Sequence, residues 1–265
     1  MAAPVPKGPL AARWGAWTIA EPLAGAVTRA RVTVENAGTA AWRSRGIMGI
    51  QLASHWLDGH GNPIVWDGPR APFPRAVEPG ETAELELPIR APIPPGRYRL
   101  AIDLVDEGRF WFAELGNAPL ETDVVVRPRI ERRLAVTGGD AQGQEEPLVP
   151  LEEAEAVAYL ALGVVPAPDW SRLVLDAHQE GYAVVGGSIE ADGRRSRRAL
   201  AQWAPGTGRV PTFSGPLLCP SVVKGVEPEW LDAVEGLPAA ARPQEEPWVY
   251  DGRIRARRES GRRRG

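Results

Sequence analysis

"IQLASHWLDGHGNPIVWDG", Ile50 to Gly68, decides how the first half of the chain is read. It holds His55 and His60, Asp58 and Asp67, and Trp56 and Trp66, a set that would suit a metal site as well as a pair of strands. Alternation puts Ile50, Leu52, Ser54 and Trp56 on one face and His55 on the other. Asp58, Gly59, Gly61 and Asn62 are turn formers, and "PIVWDG" is the return strand of a hairpin. His55 and His60 then fall on a strand and in a loop, with no third ligand nearby. His178 is the remaining histidine and Cys219 the lone cysteine, so zinc is poorly supplied and no metal site is expected. On this reading His55→Ala and His60→Ala leave folding and metal content unchanged.

The same period continues on both sides of the hairpin. "TRARVTVENAG" sets Ala30, Val32 and Val34 against Arg29, Arg31, Thr33 and Glu35, and ends at Asn36 and Gly38. "TAELELPIRA" puts Ala83, Leu85, Leu87 and Ile89 on one face, and "GRYRLAIDLVDEG" does the same with Tyr98, Leu100, Ile102 and Leu104. Turns close these strands at Pro79-Gly80, Pro95-Gly96 and Asp106-Glu107-Gly108. Half-buried strands at this spacing, with no helix between them, predict an antiparallel β-sandwich.

At 265 residues the chain has room for two modest domains. A net charge of -3 gives no reason to expect nucleic acid as a partner, and a single cysteine excludes an internal disulfide. Arg13 and Glu21 interrupt the apolar stretches of the N-terminus, and no run is long enough to span a bilayer, so a cytoplasmic protein is expected.

"VTVENAGTAAWRSRG", "HWLDGHGNPIVWDGPRAPFPRAVEPGE" and "PPGRYRLAIDLVDEGRFWFAELG" resemble the immunoglobulin-like domain appended to bacterial enzymes that build surface polysaccharides. The resemblance covers about the first half of the chain and implies an accessory module. Exposed aromatics in such a module would stack on sugar rings, but Trp56, Tyr98 and Trp111 lie on apolar faces and are expected in the core.

Residues 1–127 are therefore expected to form the sandwich, and "RPRIERRLAVTGGDAQGQEEPLVP" across 128–150 reads as a linker. Residues 151–252 read as a small α/β domain, with a short strand within Val157 to Leu162, a helix in "PDWSRLVLDAHQEG", an apolar strand in "YAVVGGSIE" and a second helix in "EPEWLDAVEG". Residues 253–265 read as a solvated basic tail.

"AVAYLALGVVPAPDWSRLVLDAHQEGYAVVGGSIEADG" resembles the middle of a family 2 glycosyltransferase of the GT-A type. "GPLLCPSVVKGVEPEWLDAVEGLP" and "QEEPWVYDGRIRAR" resemble its acceptor-side and base-bearing segments. The resemblance implies Glu245 or Glu246 as general base and Trp170, Lys224 and Trp248 as substrate contacts. It would also require carboxylates for a divalent metal where Ala161 and Gly163 stand, and aliphatic groups cannot coordinate one. The family's nucleotide-binding half is missing, "VVGGS" is too short for a phosphate loop, and Cys219 reads as a small buried residue.

The sequence thus predicts a truncated glycosyltransferase relative that binds glycans or scaffolds polysaccharide assembly, with no catalysis and no cofactor. Its expected partners are glycans or assembly proteins, with membrane contact, if any, through a partner or the basic tail. Two alternatives stand beside this: an active, metal-assisted glycosyltransferase using the Glu245-Glu246 pair, and a structural adaptor that docks an enzyme through the sandwich.

Overall fold

The computed structural model describes residues 6–191, 208–210, 215–226 and 236–258. The chain divides into two compact units, residues 1–127 and 128–265. The first is built from β1 (Ala12–Ile19), β2 (Val27–Asn36), β3 (Ser44–Arg45), β4 (Met48–Leu57), β5 (Pro63–Val65), β6 (Ala71–Pro72), β7 (Thr82–Arg90), β8 (Gly96–Asp106), β9 (Phe110–Trp111) and β10 (Leu120–Val126). A 3-10 turn spans Phe112–Leu115. One antiparallel sheet runs β1-β2-β7 and the other β10-β8-β4-β3, with β5 and β6 along β4 and β9 beside β8.

The two sheets share one core. Val32, Val34, Leu85, Leu87 and Ile89 meet Ile50, Leu52, Trp56, Leu100, Ile102 and Leu104, which are the faces that alternation assigns inward. Trp56 is 1% exposed, and its indole N–H donates to the Arg90 carbonyl at 2.9 Å. Tyr98 is half-buried, edge-on to Trp56, and its hydroxyl donates to the Pro94 carbonyl. Trp111 departs from the expectation. Its neighbour Phe112 is fully buried in this core, while Trp111 sits on the opposite, outward side against His55.

A simple sandwich leaves the outward face of each sheet to water, yet here Gln51, Ala53 and His55 on β4 and Ala101, Asp103 and Val105 on β8 are buried too. Register explains what covers them. Trp56 pairs with Val65 and Leu52 with Ala71, so three residues of β4 face five residues, Trp66 to Arg70. The surplus makes that segment bulge over the sheet's outward face. Gly68 is the point of closest approach: its N–H donates to the Ser54 carbonyl at 3.0 Å, and a Cβ there would lie 2.5 Å from that oxygen.

The second unit contains β11 (Leu134–Thr137), β12 (Ala156–Tyr159), β13 (Val164–Pro166), α1 (Trp170–Glu180), β14 (Val184–Ala191), β15 (Leu217–Leu218), β16 (Ser221–Val223), β17 (Ala239–Ala240) and β18 (Trp248–Arg258). Its main sheet is mixed, in the order β11-β12-β16-β14-β18-β13. β11 is parallel to β12 and β14 to β18, and the other neighbours are antiparallel.

Three expectations change here. Residues 128–150 are not a linker: Ile130, Leu134, Ala135 and Ala141 are buried, and the short edge strand Leu134–Thr137, with three apolar residues amid polar neighbours, pairs with β12 from Leu134 opposite Ala156 onward. The glycosyltransferase-like α/β arrangement is not supported, since α1 is the single α-helix among the described residues and three of the five neighbouring strand pairs in the sheet are antiparallel. The helix expected in "EPEWLDAVEG" lies almost wholly outside those residues. Residues 253–258 are not a solvated tail, since β18 carries through Arg258: Ile254 and Ala256 point inward while Arg253, Arg255 and Arg257 point outward.

The glycines of "VVGGS" serve packing. A Cβ on Gly187 would lie 2.2 Å from the Ile254 carbonyl, and one on Gly186 would strike Leu217. Their conformation and setting are those of a strand, with no phosphate loop.

Candidate functional site

The covered outward face of the first unit brings together residues that the sequence keeps apart. His55 stands at its centre, 3% exposed. Its ring stacks on Trp66 at 4.1 Å and 24° and meets Trp111 edge-on at 4.3 Å and 64°. The two indoles are themselves 5.9 Å apart at 71°. The Arg70 guanidinium lies 4.9 Å from the Trp111 ring centre, donates to the Gly68 carbonyl at 2.8 Å and to Asp67 at 3.0 Å, and is paired with Glu107. Trp66 lays its ring on His55 yet remains 47% exposed, so the cluster presents aromatic surface to solvent from a fixed position.

His55 Nδ1 is bonded to the Trp66 carbonyl. A carbonyl only accepts, so Nδ1 carries the proton and Nε2 is bare. Nε2 is buried and has no hydrogen-bond partner among the described residues. Burial, aided by the Arg70 charge, holds the imidazole below its ordinary pKa. Asp103, on the same face of the adjacent strand, accepts from the Leu104 and Ala113 N–H groups, and burial pushes its pKa up to about 6.

Further along this face, Arg97 stands opposite Val125 and Arg99 opposite Asp123. With Gly59 these side chains line a groove of about 280 Å³. The mixture of guanidinium, carboxylate and aliphatic surface suits a polyhydroxylated ligand, whose hydroxyls both donate and accept. Among the described residues, no three histidine, cysteine or acidic side chains converge as metal ligands.

The residues singled out from sequence are scattered over the second unit. Trp170 is 3% exposed and belongs to its core. Glu246 is ion-paired at 2.9 Å to Arg129, which also donates to the Gly181 carbonyl beyond α1, and Glu245 is exposed beside it. Lys224 is exposed and its ammonium donates to the Leu151 carbonyl. Trp248 is half-buried, with the Arg242 guanidinium 5.6 Å from its ring. Cys219 is buried at a φ of 43°, and burial raises its thiol to about 11. A groove of about 230 Å³ in this unit is lined by other residues, among them Val165, Pro166, Glu190, Arg255 and Arg257.

Sequence reasoning passed over Trp66, Arg70 and Trp111 as partners. One signal was available: Phe110 and Phe112 flank Trp111, so if Phe112 faces the core, period two sends Trp111 outward.

No family model and no curated protein matches the chain. Solved structures do resemble part of it. They include the C-terminal domain of Wzt, at 10% identity over 46% of this chain and 76% of that one, with a TM-score of 0.32. A β-glucosidase from Listeria innocua in complex with gluconolactone matches at 15% identity over 43% of this chain and 15% of that one, with a TM-score of 0.26. A family 123 glycoside hydrolase from Clostridium perfringens matches at 13% identity over 46% and 25%, also with a TM-score of 0.26. These are loose likenesses of a β-rich chain.

Proposed function

We propose that this protein is a non-catalytic glycan-binding component of surface-polysaccharide assembly, and that it holds sugar on the outward face of its first unit. The observation that carries this reading is Trp66, half-exposed yet fixed on a buried histidine, on the same sheet face as the groove lined by Arg97, Arg99 and Asp123. A sugar ring stacks on such an indole through its C–H face, while guanidinium and carboxylate groups take its hydroxyls. The second unit, in which Glu246 is engaged by Arg129 and positions 161 and 163 carry no carboxylate, serves in this proposal to dock assembly partners.

A glycan array probed with the full chain tests the reading. Binding should fall by about tenfold or more, the equivalent of about 1.4 kcal/mol, on Trp66→Ala. The melting temperature should hold, because Trp66 lies outside the sandwich core. Retention of no glycan at all, or equal retention by Trp66→Ala, would refute it.

A further inference from the structure

We infer that His55 is the positioning residue of the Trp66 platform, and that it makes the platform open in acid. This rests on the glycan-binding reading for its purpose but not for its physics. Trp66 is held from below by two contacts with one side chain, the ring stack and the bond from Nδ1 to its carbonyl. Both are compatible with the neutral ring protonated on Nδ1. Protonation would place a cationic N–H at Nε2, which is buried and finds no acceptor among the described residues.

The surrounding charges offer that cation little. From the Trp66–Arg70 segment come Arg70, which repels it, and Asp67, which already accepts from Arg70. From the β8–β9 turn comes Glu107, likewise engaged by Arg70. From β8 comes Asp103, whose oxygens are taken by two backbone N–H groups, with Glu114 of the 3-10 turn acting on it. The Trp111 face already carries the Arg70 guanidinium. The stacked Trp66 ring returns some cation–π attraction, but it cannot accept a hydrogen bond from Nε2. The accessible relief is for Trp66, the exposed member of the cluster, to swing away and admit water to the imidazole. The sugar platform is lost with it.

The test uses the full chain without ligand first. Ring resonances of His55, His60 and His178 and the indole N–H of Trp66 are followed by NMR from pH 7.5 to 4.5, with assignments from single substitutions. The Trp66 signal should move with the same midpoint as His55, below the ordinary histidine value. In His55→Phe, which keeps a stacked ring but cannot titrate, it should stay flat. In Asp103→Asn the response should persist. Affinity for the tightest glycan from the array should drop about tenfold or more across the same midpoint in the native chain, and stay level in His55→Phe.

The inference is overturned if His55 titrates without moving Trp66. It is equally overturned if His55 stays neutral throughout, or if the response survives in His55→Phe and vanishes in Asp103→Asn. Coupled titration in a protein that binds no glycan would leave the positioning role standing and remove the glycan reading. Glycan binding with no acid dependence would do the reverse.

Discussion

His55 and His178 carry the same tautomer for the same reason and end in opposite situations. His178 donates from Nδ1 to the Tyr182 carbonyl and accepts at Nε2 from the Ser221 hydroxyl, both at 2.8 Å, so it pins α1 to β16 with nothing unsatisfied. Full burial lowers its pKa to about 4 from an ordinary 6.5. Its unfolded form therefore takes up protons first as pH falls, and stability present above pH 6.5 is lost toward pH 4, by about 3 kcal/mol at about 1.4 kcal/mol per unit. Denaturant unfolding of the second unit across that range should show the loss, and His178→Gln should flatten it. Asp103 has the opposite sign. With its folded pKa raised to about 6 from 3.8, its ionisation opposes folding at neutral pH, and the cost is relieved as pH falls from 6 to 4. Asp103→Asn should remove that relief from the pH profile of the first unit. His55, buried and stacked, corrects the expectation drawn from its strand position: His55→Ala should destabilise the first unit measurably, whereas exposed His60, in the hairpin loop, remains replaceable.

Among the elements, the hairpin β4–β5 and the bulge that follows it divide the work. β4 builds the core with one face, and Trp56→Ala should cost about 3–5 kcal/mol in chemical denaturation, because a large side chain and a buried hydrogen bond are lost together. An unchanged midpoint would contradict its placement. The bulge builds the platform, and Gly68 is where the two meet. Gly68→Ala forces a methyl to within 2.5 Å of the Ser54 carbonyl, and backbone cannot rotate out of the way as a side chain can. The expected result is a displaced Trp66 resonance and weaker glycan binding, with every aromatic residue still present. In the second unit Gly187→Ala meets the Ile254 carbonyl in the same way, so it should destabilise the β14–β18 pair without touching sugar binding.

For the whole molecule, the division after Arg127 leaves each unit with its own core. Residues 1–127 expressed alone should give a dispersed NMR spectrum and retain the glycans bound by the full chain; an aggregated or collapsed fragment would show that the units depend on each other. Calorimetry of the full chain with UDP- and GDP-sugars and manganese or magnesium should show no binding, since aliphatic positions 161 and 163 offer a metal nothing. Micromolar binding abolished by EDTA would restore the transferase alternative. No helix among the described residues is long and apolar enough to cross a membrane.

The sequence by itself determined the strands of the sandwich and their inward faces. Period two is local, and the turn chemistry at Asp58–Asn62, Pro79-Gly80 and Pro95-Gly96 leaves few other ways to bury Val32, Leu85 and Leu104. It also located α1, which has an apolar face and a closing glycine. It did not determine that β11 emerges from an apparently polar linker. A short edge strand gains its stability from β12 and carries little pattern of its own. Nor did it reveal the candidate site. Only the tertiary structure decided that His55 would be buried on its outward face, because the cover consists of Trp66, Arg70 and Trp111, brought there by a two-residue surplus in strand register and by a separate turn. Register is a relation between strands, and no single stretch of sequence contains it.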